Sequence, residues 1–102
     1  MAASKAKVQS IIEENPVAVF SKSWCPYCRQ AKQLLSESGA KFYAIELDQV
    51  DDGSAIQSAL GEMTGQTTVP SIFIAQKHIG GNSDLQSKRR ELKNMLKSAG
   101  AL

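Results

Sequence analysis

Only two cysteines and one histidine occur among the 102 residues, whereas a structural zinc site draws four ligands from such side chains. The chain is equally poor in material for a disulfide framework: Cys25 and Cys28 stand three residues apart, and a bridge between them would close too short a loop to stiffen the fold. No apolar run approaches the roughly 18 residues that a membrane span needs. The opening stretch, Met1 to Lys7, lacks the apolar segment of a secretory signal. Together these shortages lead us to expect a cytoplasmic, reducing environment and no membrane partner. Charge of one sign is scarce as well, the formal net charge being +2, which argues against a polyanionic partner. Lys88-Arg89-Arg90 is broken by Glu91 and has no aromatic residue interleaved, so it reads as a solvated helix face rather than a nucleic-acid patch. Repeats, linkers and low-complexity segments are missing, and a hydrophobic content of 42% suffices for one core; a single domain over 1–102 is expected.

What is present is concentrated in Trp24-Cys25-Pro26-Tyr27-Cys28. An apolar run, Val17 to Phe20, precedes it, and Cys28, Ala31, Leu34 and Leu35 follow at helical spacing as far as Gly39. The two thiols therefore fall at a strand-to-helix junction. The first N–H groups of a helix are unpaired and its dipole is positive there, so a sulfur at that place is stabilised as thiolate. Cys25, the outer cysteine, gains most, and Lys22 adds a positive charge nearby. Pro26 suits the first helical position, where its missing N–H costs nothing. Cys28, one turn further in, should be more buried and less acidic. This arrangement asks for thiol–disulfide exchange: Cys25 attacks a disulfide, a mixed disulfide forms, and Cys28 displaces the product.

Taken in order, a first helix capped by Ser4 carries Val8, Ile11 and Ile12 on one face and ends at Asn15-Pro16. Val17 to Ser21 is a strand covered on both faces. After the cysteine-bearing helix, Lys41 to Leu47 forms a second strand, with Phe42 and Ala44 on one face and Tyr43, Ile45 and Leu47 on the other. Strand, helix and strand make a right-handed parallel unit. A helix then starts near Asp51-Asp52-Gly53-Ser54, buries Ile56, Ala59, Leu60 and Met63, and stops at Gly65. Ser71 to Ala75 is a buried strand turned by Gln76-Lys77 into His78-Ile79, an antiparallel hairpin. Gly80-Gly81 breaks it, Asn82 or Ser83 caps a helical turn, and Leu92, Met95, Leu96 and Ala99 line the last helix. The sum is an α/β domain with a mixed four-stranded sheet and helices on both faces. With C-x-x-C at the first strand-to-helix junction, this topology resembles the thioredoxin fold.

Three segments in order make the resemblance to the dithiol glutaredoxins specific: Phe20-Ser21-Lys22-Ser23-Trp24-Cys25-Pro26-Tyr27-Cys28, then Thr68-Val69-Pro70, then Gly80-Gly81 with Asp84. The resemblance implies glutathione as co-substrate, no tightly bound cofactor and no metal. It also implies a cis proline at Pro70 lying against the nucleophile. Lys22 and Gln57, with Tyr27 beside them, match the positions that face the glycine carboxylate of glutathione. Thr68 belongs to the same site, and Val69 matches the residue whose backbone pairs with the cysteinyl unit as an added strand. Gly81 admits close approach of backbone, while Ser83 and Asp84 would hold the γ-glutamyl end, with Asp84 taking the ammonium and N–H groups at the helix start the carboxylate. Outside that resemblance, Lys22 would be a solvated lysine, Gln57 a surface glutamine, Pro70 an ordinary turn proline, and Asp84 a first-turn helix acid. His78 reads as a strand-end residue without a catalytic part. Two positions depart from the pattern: Thr67 stands where a basic residue is common, and Asn82 where many members carry cysteine.

The implied activity is a glutathione-dependent oxidoreductase, acting through Cys25 alone on protein–glutathione mixed disulfides and through Cys25 with Cys28 on protein disulfides. Its partners would be glutathione and glutathionylated or disulfide-containing proteins, and nothing requires more than a monomer. The alternative is a carrier in which Cys25 from two chains and two glutathiones hold a 2Fe–2S cluster. Pro26 argues against it, because members that hold clusters tend to have a small residue there. A thioredoxin-like reductant fed by a flavoenzyme is disfavoured by Pro26-Tyr27.

Overall fold

The computed structural model describes residues 2–102; Met1, part of the expected domain, lies outside the described residues. Four strands form one sheet in the order β2-β1-β3-β4. β1 (Val17–Ser21) runs parallel to β2 (Tyr43–Glu46) and antiparallel to β3 (Ser71–Ile74), and β4 (Lys77–Gly80) closes the far edge as a hairpin with β3. The crossover from β1 to β2 is α2 (Pro26–Glu37). The remaining helices are α1 (Ala2–Glu14), α3 (Gly53–Thr64), α4 (Asn82–Ser87) and α5 (Leu92–Ala99). Among the described residues no helix is long and apolar enough to cross a membrane.

Alternation along the strands divides the core in two. Val17 and Val19 of β1, with Ile72 and Ile74 of β3, pack against Leu34 and Leu35 of α2, Leu85 of α4 and Leu96 of α5. Ala18, Phe20 and Phe73 point the other way, onto Val8 and Ile12 of α1 and Ile56 and Leu60 of α3. β1 is buried along its whole length because helices cover both faces of it. The mixed four-stranded sheet with helices on either side is thus the expected architecture.

Several local expectations need correction. Ser4 lies inside α1 rather than capping it, because Ala2 and Ala3, good helix formers, carry the helix upstream. The second strand is shorter than Lys41 to Leu47: the Lys41 N–H turns away to the Ala101 carbonyl at 2.7 Å. Tyr43 is exposed at the sheet edge, and Met63 is 37% exposed at the solvent side of α3. The β3–β4 turn is Ala75-Gln76, not Gln76-Lys77; both turn residues have positive φ, 52° and 69°, as a two-residue hairpin turn with the right twist requires. Neither Asn82 nor Ser83 caps α4; Gly81 does, its N–H donating to Asp84 Oδ2 at 2.9 Å.

Candidate functional site

The cysteine pair stands where β1 ends and α2 begins. Cys25 is the N-cap of α2, in an extended conformation, with Pro26 at the first helical position. Its sulfur accepts the Cys28 N–H at 3.2 Å, one of the helix-start donors that would otherwise lack a partner. The Cys25 thiol in turn points at the Val69 carbonyl, 3.9 Å away, so the segment before Pro70 lies against the nucleophile candidate. The Val69–Pro70 peptide is cis. Both thiols are free. Cys25 keeps 7% of its surface and Cys28 none. Burial, and then the contact with Cys25, push the Cys28 thiol up to about 11, against the smaller opposing effects of the Lys22 backbone and the Ser21 hydroxyl.

The loop in front of Cys25 is fixed from the side. Ser23 donates to Asp48 twice, through its N–H at 2.9 Å and through its hydroxyl, a short contact. These bonds hold the Asp48 carboxyl below its ordinary range, with a lesser contribution from the charge of Lys22. Lys22 Nζ itself lies 5.8 Å from the centre of the Trp24 ring.

A groove of about 660 Å³ runs beside the cysteines, lined by Tyr27, Thr68, Val69, Pro70, Gly81, Ser83 and Asp84 together with Gln66 and Asn82. Seven residues singled out in the sequence therefore share one wall-and-floor arrangement. Lys22 and Gln57 are not among them. They lie together in a second hollow of about 290 Å³ with Trp24 and Asp48, separated from Tyr27, which the sequence had grouped with them.

Gln66 escaped sequence reading because an isolated glutamine in a polar loop carries no signal. Its amide Nε2 donates to the carbonyls of Thr68 at 3.0 Å and Pro70 at 2.8 Å. With both amide protons so used, Oε1 faces His78 Nε2 at 3.0 Å, which must then carry the ring proton. His78 is accordingly not a bare strand-end residue: it joins β4 to the loop through Gln66. From the other side Gln57 Nε2 donates to the Thr67 carbonyl at 2.7 Å. Asn82, where a cysteine is common, donates to Gln30 Oε1 of α2 at 3.0 Å. Among the described residues no group of three metal-ligating side chains converges.

Residues 17–79 match the family model described as glutaredoxin. A glutaredoxin of Solanum lycopersicum is 54% identical over 101 residues, covering 97% of this chain and 94% of its own length. Glutaredoxin-2 of Schizosaccharomyces pombe is 50% identical over 99 residues, covering 97% and 83%. A crystal structure of a buckwheat glutaredoxin–glutathione complex superposes with a TM-score of 0.95 at 46% identity, covering 99% of this chain and 94% of that one.

Proposed function

This chain belongs to the glutaredoxin family and is a glutathione-dependent thiol oxidoreductase, and from that premise we propose that Cys25 is its nucleophile, Cys28 its resolving thiol and glutathione its co-substrate. The observation that carries these roles is the asymmetry of the pair: Cys25 accepts a helix-start N–H and retains an opening to solvent, while Cys28 is sealed and hard to ionise.

Two routes follow. In the first, the Cys25 thiolate attacks a protein–glutathione disulfide; the sulfur–sulfur bond to the protein breaks and the protein thiol departs with a proton. A second glutathione thiolate then attacks the glutathionyl sulfur now bonded to Cys25; glutathione disulfide forms and Cys25 leaves as thiolate. In the second route Cys25 attacks a protein disulfide, Cys28 displaces the product, and two glutathiones restore both thiols. The groove supports the glutathione reading. It offers the backbone of Val69 for strand-like pairing with the cysteinyl unit, and Ser83 and Asp84 for the γ-glutamyl end, with Asp84 for the ammonium and N–H groups at the helix start for the carboxylate. Lys22 and Gln57, in the second hollow, are the groups assigned to the glycine carboxylate. That the buckwheat relative is a glutathione complex supports glutathione as the co-substrate. We take the protein substrates to be glutathionylated or disulfide-containing proteins of the cytoplasm, met by a monomer.

The test is a turnover assay coupled to glutathione reductase and NADPH with a small glutathionylated disulfide. Cys25→Ser abolishes turnover, whereas Cys28→Ser still reduces the glutathionylated substrate and loses only the protein-disulfide route. Equal inactivity of the two variants would remove the role assignment.

A further inference from the structure

α4 is a helix of only six residues, yet it carries Ser83 and Asp84, the pair assigned to the γ-glutamyl end of glutathione. Leu85 anchors it in the core, fully buried in one cluster with Leu34 and Leu35 of α2. An apolar contact is non-directional, so it fixes the depth of a short helix but not its rotation. The chain leading in supplies little restraint either: Gly80, at φ 120°, and Gly81 come immediately before, and glycine leaves the backbone most freedom. Rotation matters here because Asp84 Oδ2 already accepts the Gly81 N–H at 2.9 Å, which leaves Oδ1 to meet the ammonium.

Asn82, the first residue of α4, is buried, with 9% exposure, and both ends of its amide are engaged. Arg89 sets their sense. A guanidinium only donates, so Gln86 presents Oε1 to Arg89 Nη2 at 2.6 Å. Gln86 Nε2 is thereby turned to donate to Asn82 Oδ1 at 3.1 Å, and Asn82 Nδ2 donates to Gln30 Oε1 of α2 at 3.0 Å. One directed chain of hydrogen bonds thus runs from Arg89, along α4, to the helix that bears the cysteines. Such bonds depend on angle and resist the rotation that Leu85 permits.

We propose that Asn82 is a positioning residue for glutathione: its bond to Gln30 sets the rotation of α4 on α2, and with it the placement of Ser83 and Asp84 relative to Cys25. The inference rests on the glutathione reading set out above. A glutathionyl group held through its amine at Asp84 has to bring its sulfur to Cys25, so the two anchors must stand at one separation. Loss of the bond loosens the γ-glutamyl grip and leaves the attack at sulfur as it was.

Gln30 is the place to test this, being exposed on α2 and lining, with Gln86 and Arg89, a hollow of about 240 Å³ separate from the groove. Gln30→Leu removes the acceptor, Gln30→Glu keeps it, and Asn82→Ala removes both amide ends. Each is made in the full-length Cys28→Ser protein, so that Cys25 takes up the group it attacks and the reaction halts there without free glutathione. One peptide thiol is presented as its disulfide with glutathione, and again as its disulfide with cysteinylglycine, which lacks the γ-glutamyl unit. Release of the peptide thiol is followed by mass spectrometry after acid quench, over a range of substrate concentrations.

With the glutathionyl peptide, Gln30→Leu and Asn82→Ala raise the half-saturating concentration at least about fivefold, the effect of one lost hydrogen bond, and keep the limiting rate. Gln30→Glu behaves as the parent, and Asn82→Ala combined with Gln30→Leu is no worse than Asn82→Ala alone. The cysteinylglycyl peptide shows no deficit in any variant. A deficit equal on the two peptides, or one shared by Gln30→Glu, overturns the role, as does unchanged saturation in folded variants. Should Asn82→Ala fail to fold, the two Gln30 variants decide. If the parent does not distinguish the two peptides, the γ-glutamyl assignment of Ser83 and Asp84 falls and the positioning role with it. Failure of the parent to take up the glutathionyl group at all would bring down the functional reading itself.

Discussion

At the scale of single residues, the two cysteines are the same side chain made different by one helical turn. Cys25 sits at the cap, where the Cys28 N–H reaches its sulfur; Cys28 sits inside, where burial opposes charge. That difference makes the reduced protein sensitive to alkali. The folded pKa of Cys28, about 11, lies above its ordinary 9.0, so the unfolded chain gives up this proton first as pH rises. The stability linked to Cys28 is therefore complete below pH 9.0 and declines from there toward 11. Urea midpoints of the reduced protein fall between these limits, and fall less in Cys28→Ser; equal losses in the two proteins would contradict the assignment. The inner and outer characters of the cysteines were legible in the sequence, since cap position and helical period need only local spacing. The contact of Ser21 with Glu46 was not, because residues 25 apart meet only through the register of β1 on β2.

At the scale of elements, the segment between α3 and β3 behaves as a loop strung between two glutamines. Gln57 and Gln66 engage the carbonyls of Thr67, Thr68 and Pro70, and the Val69 carbonyl is the one directed at Cys25. With the flanking carbonyls occupied, the Val69 backbone is presented to the groove in one orientation. Gln66→Ala removes two of these bonds and the link to His78. At about 1 kcal/mol for each of the two carbonyl bonds, we expect KM for a glutathionylated substrate to rise by up to roughly thirtyfold with a much smaller change in kcat. A change confined to kcat would show that the loop acts on the chemistry instead. Thr68, Val69 and Pro70 were recognisable as a motif, but their support was hidden. Gln66 bonds to residues two and four ahead and to a histidine twelve ahead, a pattern that no hydrophobic period records. The Ala75-Gln76 turn was misplaced by one residue for a similar reason: neither residue advertises the positive φ it adopts.

At the scale of the whole molecule, every candidate site residue except Gln57, which belongs to α3, comes from a junction on one side of the sheet. The segments after β1, before β3 and after β4 meet there, while helices seal both faces. The order and type of these elements were readable because each apolar face repeats at the strand or helix period. The grouping of Lys22 and Gln57 in a hollow distinct from the groove was not, since it depends on where α3 packs relative to the cysteine loop.

Trp24 and Tyr27, which flank Cys25 along the chain, are 66% and 63% exposed, while Cys25 itself is only 7% exposed. Two large exposed rings beside a nearly covered thiol are expected to act as a gauge of the thickness of whatever approaches. A slender electrophile such as iodoacetamide should reach Cys25 quickly, whereas a maleimide bearing a bulky dye should label it slowly until both rings are trimmed to alanine. On a target surface the same gauge is expected to favour a disulfide borne on a protruding, loosely held segment over one set flush in a flat face, so that relief would be read before chemistry.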